Sequence, residues 1–292
     1  MARDQLHQSH FRRRKLKNLW MQFLMTLATV IAIGPLLMVF FHIVALGLPS
    51  LNFSFFTELP APTGEVGGGM GNAILGSLVM IAMASLICIP VGIGAGVFLA
   101  EFPRGSIPRT LRLVIDLLAS LPSIVVGLYV YAVLVVPMKS FSAWAGTWAL
   151  GILMVPIVVK TTEEVLRLLP FHYREAGLAL GLSRWRVICS IVLRSRRKAI
   201  LTGIFLALAR IAGETAPLLI TAFGNRNWPS GLGEPMASLP VQIYNYAISP
   251  FEDWHRQAWA GAFTLVSLVF ALNLISRALM TSGGTRGGEL GG

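Results

Sequence analysis

Two charged side chains, Arg210 and Glu214, interrupt the apolar stretch AILTGIFLALARIAGETAPLLITAF at 199–223. Four residues apart, they fall on one helix face, together with Gly203, Ala207 and Pro217. A guanidinium attracts anions and a carboxylate holds or releases them. Such a pair either fixes helix register as an ion pair or borders a path for a charged solute. An isolated charge at mid-bilayer costs about 2.5–3.5 kcal/mol, so both side chains should face the bundle interior, each other or water. Pro217 cannot donate to the carbonyl of Gly213, which predicts a bend beside Glu214. A neutral pair selects no anion, so anion preference requires Arg210 to be partly freed during transport.

A second cluster is EAGLALG at 175–181, within a basic stretch. Pro170 interrupts the preceding apolar pattern, FHYREAGLAL reads as a short helix, and Gly181 reads as its left-handed C-cap. Ser183 is placed to N-cap a second helix with Trp185, Ile188 and Val192 on one face. Small residues Ala176, Gly177 and Ala179 near the bend allow close approach, and Glu175 offers one charge for registration. The unit suits either insertion into a partner's groove or a plain amphipathic connector on the membrane surface.

Other chemistries find no residues. The five histidines and two cysteines (Cys88, Cys189) show no metal or disulfide spacing, and His42 stands alone in an apolar run. No serine–histidine–acid set, phosphate-binding glycine loop or dinucleotide fingerprint is present. Any nucleotide chemistry therefore belongs to another chain.

The elements that must position these residues are membrane spans. The 292 residues are 55% hydrophobic and 13% charged, with a mean hydropathy of +0.70. Apolar runs of 18 or more residues mark spans, read at 20–48, 72–100, 113–136, 144–160, 199–223 and 257–280. Of 24 Lys and Arg, twenty lie in alternate connections and at the two ends, three in the intervening connections, and Arg210 inside a span. The positive-inside rule then puts both termini and the EAGLALG loop in the cytoplasm. The net charge of +11 is thereby a topology signal, with no nucleic acid needed. Asp116 is expected at the N-terminal end of the third span, and Pro90 and Pro122 are expected to kink spans. The chain divides into a basic arm (1–19), a first span with its outer loop (20–71), a core (72–280) with inner loop 161–198 and outer loop 224–256, and a flexible tail (281–292).

The inner loop resembles a known pattern. Glu175-Ala176-Gly177, then Gly181, Ile191 and Leu193, is similar to the EAA loop of ABC-importer permeases, with Gly177 in place of the second alanine and Arg194 in place of the final proline. RIAGETAPLL at 210–219, LPVQIYN in the outer loop, DLLASLPSIVVGL at 116–128 and IPVGIGAGVFLAEF at 89–102 resemble the phosphate-importer branch of that family. The resemblance implies an all-α, six-span integral membrane protein of the MetI-like permease fold. It implies that Glu175, Ala176, Gly177, Gly181, Ile191 and Leu193 form a coupling helix docking on an ATPase, and that Arg210, Glu214, Thr215 and Pro217 border the translocation path. The partners it implies are a second homologous permease, two cytoplasmic ATPase subunits holding ATP and Mg, and an extracytoplasmic phosphate-binding protein. The chain itself would need no cofactor and catalyse nothing. A permease for another oxyanion (phosphonate, sulfate, molybdate) and a stand-alone carrier or channel are the alternatives.

Overall fold

Long apolar runs fold as helices because hydrocarbon leaves backbone N–H and C=O groups no partner but each other. The computed structural model describes residues 2–281, with side chains for 14–278. In order, the helices are α1 (Ala2–Gly47), α2 (Phe53–Thr57), α3 (Gly71–Glu101), α4 (Ser106–Ser120), α5 (Ser123–Val130), α6 (Val136–Met138), α7 (Ala143–Arg167), α8 (His172–Ala179), α9 (Arg184–Arg186), α10 (Leu193–Ala212), α11 (Ala216–Thr221), α12 (Leu239–Ala247) and α13 (Glu252–Thr281). Stretches of π-helix join α5 to α6 (Tyr131–Val135) and α9 to α10 (Val187–Val192). One isolated antiparallel bridge, Pro60 to Gly68, is the sole β pairing among the described residues.

Four helices are single apolar spans by length and composition: α1, α3, α7 and α13. The expected third span, 113–136, is instead a bent pair. It breaks after Ser120, and α4 makes an angle of 105° with the α5–α6 stretch. Pro122 causes the break: it lacks an N–H and holds Leu121 extended (φ −68°, ψ 136°). The expected fifth span, 199–223, is also divided, into α10 and α11, and Arg194, Arg196, Arg197 and Lys198 crowd the first turns of α10. Six uninterrupted spans are therefore not what forms. The fourth extends to Arg167 and not 160, because the charges that end its hydropathy are paired within the fold. Pro35, Pro90 and Pro156 all lie inside continuous helices. The basic arm is helical and continuous with α1, and the expected flexible tail lies, from residue 282, outside the described residues.

The core surrounds α7, whose most apolar 18 residues are 67% buried, against 6% for α1. Adjacent threonines of α7 face opposite neighbours. A β-carbon at Gly96 of α3 would sit 2.6 Å from Thr162 Cβ, and one at Gly203 of α10 would sit 2.6 Å from Thr161 Oγ1. Glycine is what lets α3 and α10 close on α7 from two sides. Met80, Leu150, Met154, Val158, Ala207, Ile211 and Leu218 fill the resulting core. By contrast α1 lies on α13 along one edge, with His42 edge-on to Trp259 at 4.9 Å. Its outward face, including Met38 and Phe41, is left for lipid.

The end of the bundle that carries the 49–71 and 224–256 connections is tied down. Gly67 N–H donates to Asp253 at 3.2 Å, and Gln257 Nε2 donates to the Gly67 carbonyl at 2.7 Å. The glycine-rich 64–72 segment is thus pinned to α13. Above the bundle, α12 buries Tyr246, whose ring stacks on Trp254 at 4.5 Å. Burial pushes its phenol above the ordinary range.

Candidate functional site

On the inner loop, α7 stops at Leu168 and Pro170 starts a turn that redirects the chain into α8. Gly181 ends α8 as expected. It adopts φ +77°, its N–H reaches Leu178 O at 2.9 Å, and Leu182 N–H reaches Gly177 O at 3.3 Å. These two bonds are a Schellman motif. Ser183 occupies the next N-cap position, but its side chain makes no cap bond. The next helical run is longer than expected: α9, the π stretch and α10 follow without a break. Arg194, standing where the family pattern has proline, keeps its N–H and lets the helix run through Leu193. A π turn absorbs the register instead.

Gly177 is the one buried residue of α8, and a β-carbon there would lie 2.7 Å from Ile191 Cδ1. Two residues of the motif, far apart in sequence, thus meet at the bend. Leu193 packs part-buried near Leu166 and Val192. The expected Trp185–Ile188–Val192 face does not hold together: Trp185 is 65% exposed, while Val187 and Val192 are buried. Glu175 and Ala176 are exposed, beside Phe171, Leu178 and Leu180 (66%, 48% and 81% exposed). Three large apolar side chains are thus exposed around one carboxylate.

Beneath that surface lies an ionic lattice that sequence reading missed. Arg174 Nη2 donates to Glu101 Oε1 at 2.7 Å and Nε donates to Oε1 at 2.9 Å, with side chains only 12% and 6% exposed. The same guanidinium donates to Leu169 O (2.9 Å) and Leu166 O (3.1 Å) at the end of α7. Glu163 accepts from Arg112 and Arg167, each at 2.8 Å, and Arg112 also donates to Leu99 O at 2.8 Å. Asp116 is not at a helix start; it lies in the last turns of α4 and pairs with Lys160 at 2.7 Å. The available signal was LAEF at 99–102, a carboxylate closing an apolar run on a side rich in arginine.

The second cluster departs more from expectation. Helix α10 ends at Ala212, where Gly213 N–H turns back to the carbonyls of Arg210 and Ile211. Arg210 and Glu214 therefore do not share a helix face, and no ion pair joins them among the described residues. Gly203 and Ala207 are buried against α7 and the core, while Arg210 is exposed and Glu214 and Thr215 are half-buried. Pro217 is buried, and a β-carbon at Gly127 of α5 would come within 2.7 Å of its Cα. The breaks in the third and fifth spans are thus neighbours. With Gly203 beside Thr161 and Leu218 beside Gly146, Arg210 stands about midway along α7. One turn before it on α10, Leu206 is exposed as well.

Residues 92–282 match the family described as the binding-protein-dependent transport system inner membrane component. A phosphate transport system permease protein PstA from Pasteurella multocida is 45% identical over 270 residues, covering 92% of this chain and 96% of that protein. The chain belongs to the PstA family of permeases. It is accordingly a multi-pass inner-membrane component of a binding-protein-dependent transporter and not itself an enzyme. Its fold is shared with a subunit of a bacterial alginate ABC transporter solved with an alginate-bound periplasmic protein, at a TM-score of 0.68 and 13% identity, over 92% of this chain and 96% of that one. The MetNI methionine ABC transporter in inward-facing form gives a TM-score of 0.55 at 17% identity, over 72% and 92% of the two chains.

Proposed function

We propose that this chain is the permease subunit of an ATP-driven phosphate importer, supplying half of the translocation path. The observation that carries the reading is Arg210, a mid-membrane cation exposed and without an ionic partner in the described chain, in a relative of proteins named for phosphate transport. A second, homologous permease covers the face on which Arg210 lies, so that the guanidinium borders an aqueous path and not lipid. With Thr215, it meets the anion, while Glu214 stands free to accept a hydrogen bond. Phosphate retains an O–H to give that bond and sulfate has none, so the carboxylate favours phosphate. Pro217 holds the α10–α11 break open by its packing on α5.

Both termini and the inner loop lie in the cytoplasm. There α8, with Glu175, Ala176 and Gly177 at its centre and Gly181, Ile191 and Leu193 fixing its bend, docks on one of two ATPase subunits. ATP and Mg belong to those subunits. A phosphate-binding protein delivers the anion on the outer side, where α12 and the pinned 64–72 segment make a firm surface. Closure of the ATPases displaces α8, and the spans rock about the path.

Reconstitution with the partner subunits tests this directly. Labelled phosphate should enter vesicles only with ATP, and excess sulfate should not compete; Glu214→Gln should weaken that discrimination. Uptake by this chain alone without ATP would make it a secondary carrier, and equal transport of sulfate would reassign the substrate.

A further inference from the structure

The cytoplasmic end of α3 is held from both sides of the Gly181 turn. Before the turn, Arg174 grips the Glu101 carboxylate through two nitrogens, at 2.7 to 3.1 Å. After it, Arg184 Nη2 donates to the Glu101 carbonyl at 3.1 Å, and its guanidinium lies 4.4 Å from the Phe102 ring centre. Because Arg174 also holds two carbonyls at the end of α7, one planar group joins three elements. Consecutive residues of α8 face opposite ways: Glu175 is exposed on the docking side, and Arg174 is turned inward.

We propose that Glu101 and Arg174 are positioning residues for energy coupling, a latch that makes the end of α3 travel with α8 as one body. This rests on the docking role of α8 proposed above. Besides the four-residue turn that joins α8 back to α7, two routes lead from α8 into the membrane. One follows the chain through the left-handed Gly181 turn and the π-helical stretch before α10, both irregular joints. The other crosses the latch to α3, which is keyed to α7 at Gly92 and Gly96. Moving α8 without α3 would break three hydrogen bonds between a guanidinium and a carboxylate that are only 12% and 6% exposed, at the wall of a cleft of about 700 Å³, which is unfavourable. Moving them together breaks nothing. The second route is therefore the stiff one, and the α3–α7 pair receives the stroke. Lysine cannot replace Arg174, since a point ammonium does not span a carboxylate and two divergent carbonyls.

The test uses the full transporter in vesicles, comparing phosphate uptake with ATP hydrolysis for Arg174→Lys and Glu101→Gln. The expected result is ATPase co-purification at the unaltered stoichiometry, hydrolysis within about twofold, and uptake lower by about tenfold or more. A fall of uptake and hydrolysis by the same factor, or no fall in either, overturns the latch. Should the variants not assemble, the intact pair is read with spin labels at His172→Cys on α8 and Arg104→Cys just past α3 in a Cys189→Ser background. Their separation should stay constant to within about 2 Å between nucleotide-free and ATP-trapped states, the scale of small helix adjustments, and a larger change overturns the proposal. Failure of the docking role itself looks different: the ATPase would not co-purify with the unaltered chain.

Discussion

Glu163 lies within α7 and Glu214 in the break between α10 and α11, each with an arginine four residues away. Glu163 accepts from Arg167, and from Arg112 as well, at 2.8 Å each and with its side chain 10% exposed. Glu214 makes no bond to Arg210, because the helix that would align them ends between them. The difference lies in backbone continuity. An unbroken α7 puts residues 163 and 167 on one face, whereas Gly213 and Pro217 turn that register away. Charges completed inside the chain hold its inner surface together. Arg210 and Glu214 are left without such partners among the described residues, and on the function proposed above an anion and a second subunit would supply them.

The contrast can be broken at several points. Arg210→Ala should cause the largest loss, lowering uptake by roughly 100-fold, as expected for removal of a key electrostatic group, while co-purification of the subunits is unaffected; normal transport would reduce Arg210 to scaffolding. Glu175→Lys should rank next. It reverses a charge at the docking surface and should cut ATPase retention and uptake by about tenfold, with membrane insertion intact; full uptake would remove α8 from the coupling role. Glu163→Ala should act on stability, at a cost of about 2 kcal/mol, read as a lower melting temperature in detergent, with the remaining transport still coupled to ATP. The smallest effect is expected from Gly181→Ala. A β-carbon there meets nothing within 4 Å, so the only penalty is the φ of +77°, about 1 kcal/mol. A large loss of assembly from that variant would mean the turn itself is contacted by a partner.

Hydropathy and charge spacing made α1, α3, α7 and α13 legible, because a span is a local property of composition. The Gly181 cap was equally legible, being written in a single residue. The breaks were visible only as residues, Pro122 and the Gly213–Pro217 pair; the 105° angle depends on what α4 and α5 pack against. Helix α7 was cut short at 160 because Lys160 and Glu163 read as solvent-facing when each has its partner on α4. Arg174 was counted as one more inner-surface charge for the same reason: its carboxylate lies 73 residues away. The Arg210–Glu214 face was inferred from spacing that assumed an unbroken helix. Pattern reading sees periodicity, and it fails where a tertiary partner or a local break overrides the period.

The two thiols differ in a way that gives the molecule its own compass. Cys88 is buried in α3, while Cys189 is exposed on the 161–198 connection, which the function proposed above puts in the cytoplasm. A maleimide too polar to cross lipid should leave intact cells unmarked at this protein yet modify it at a single position in inverted vesicles, reporting the handedness of insertion from an unaltered polypeptide.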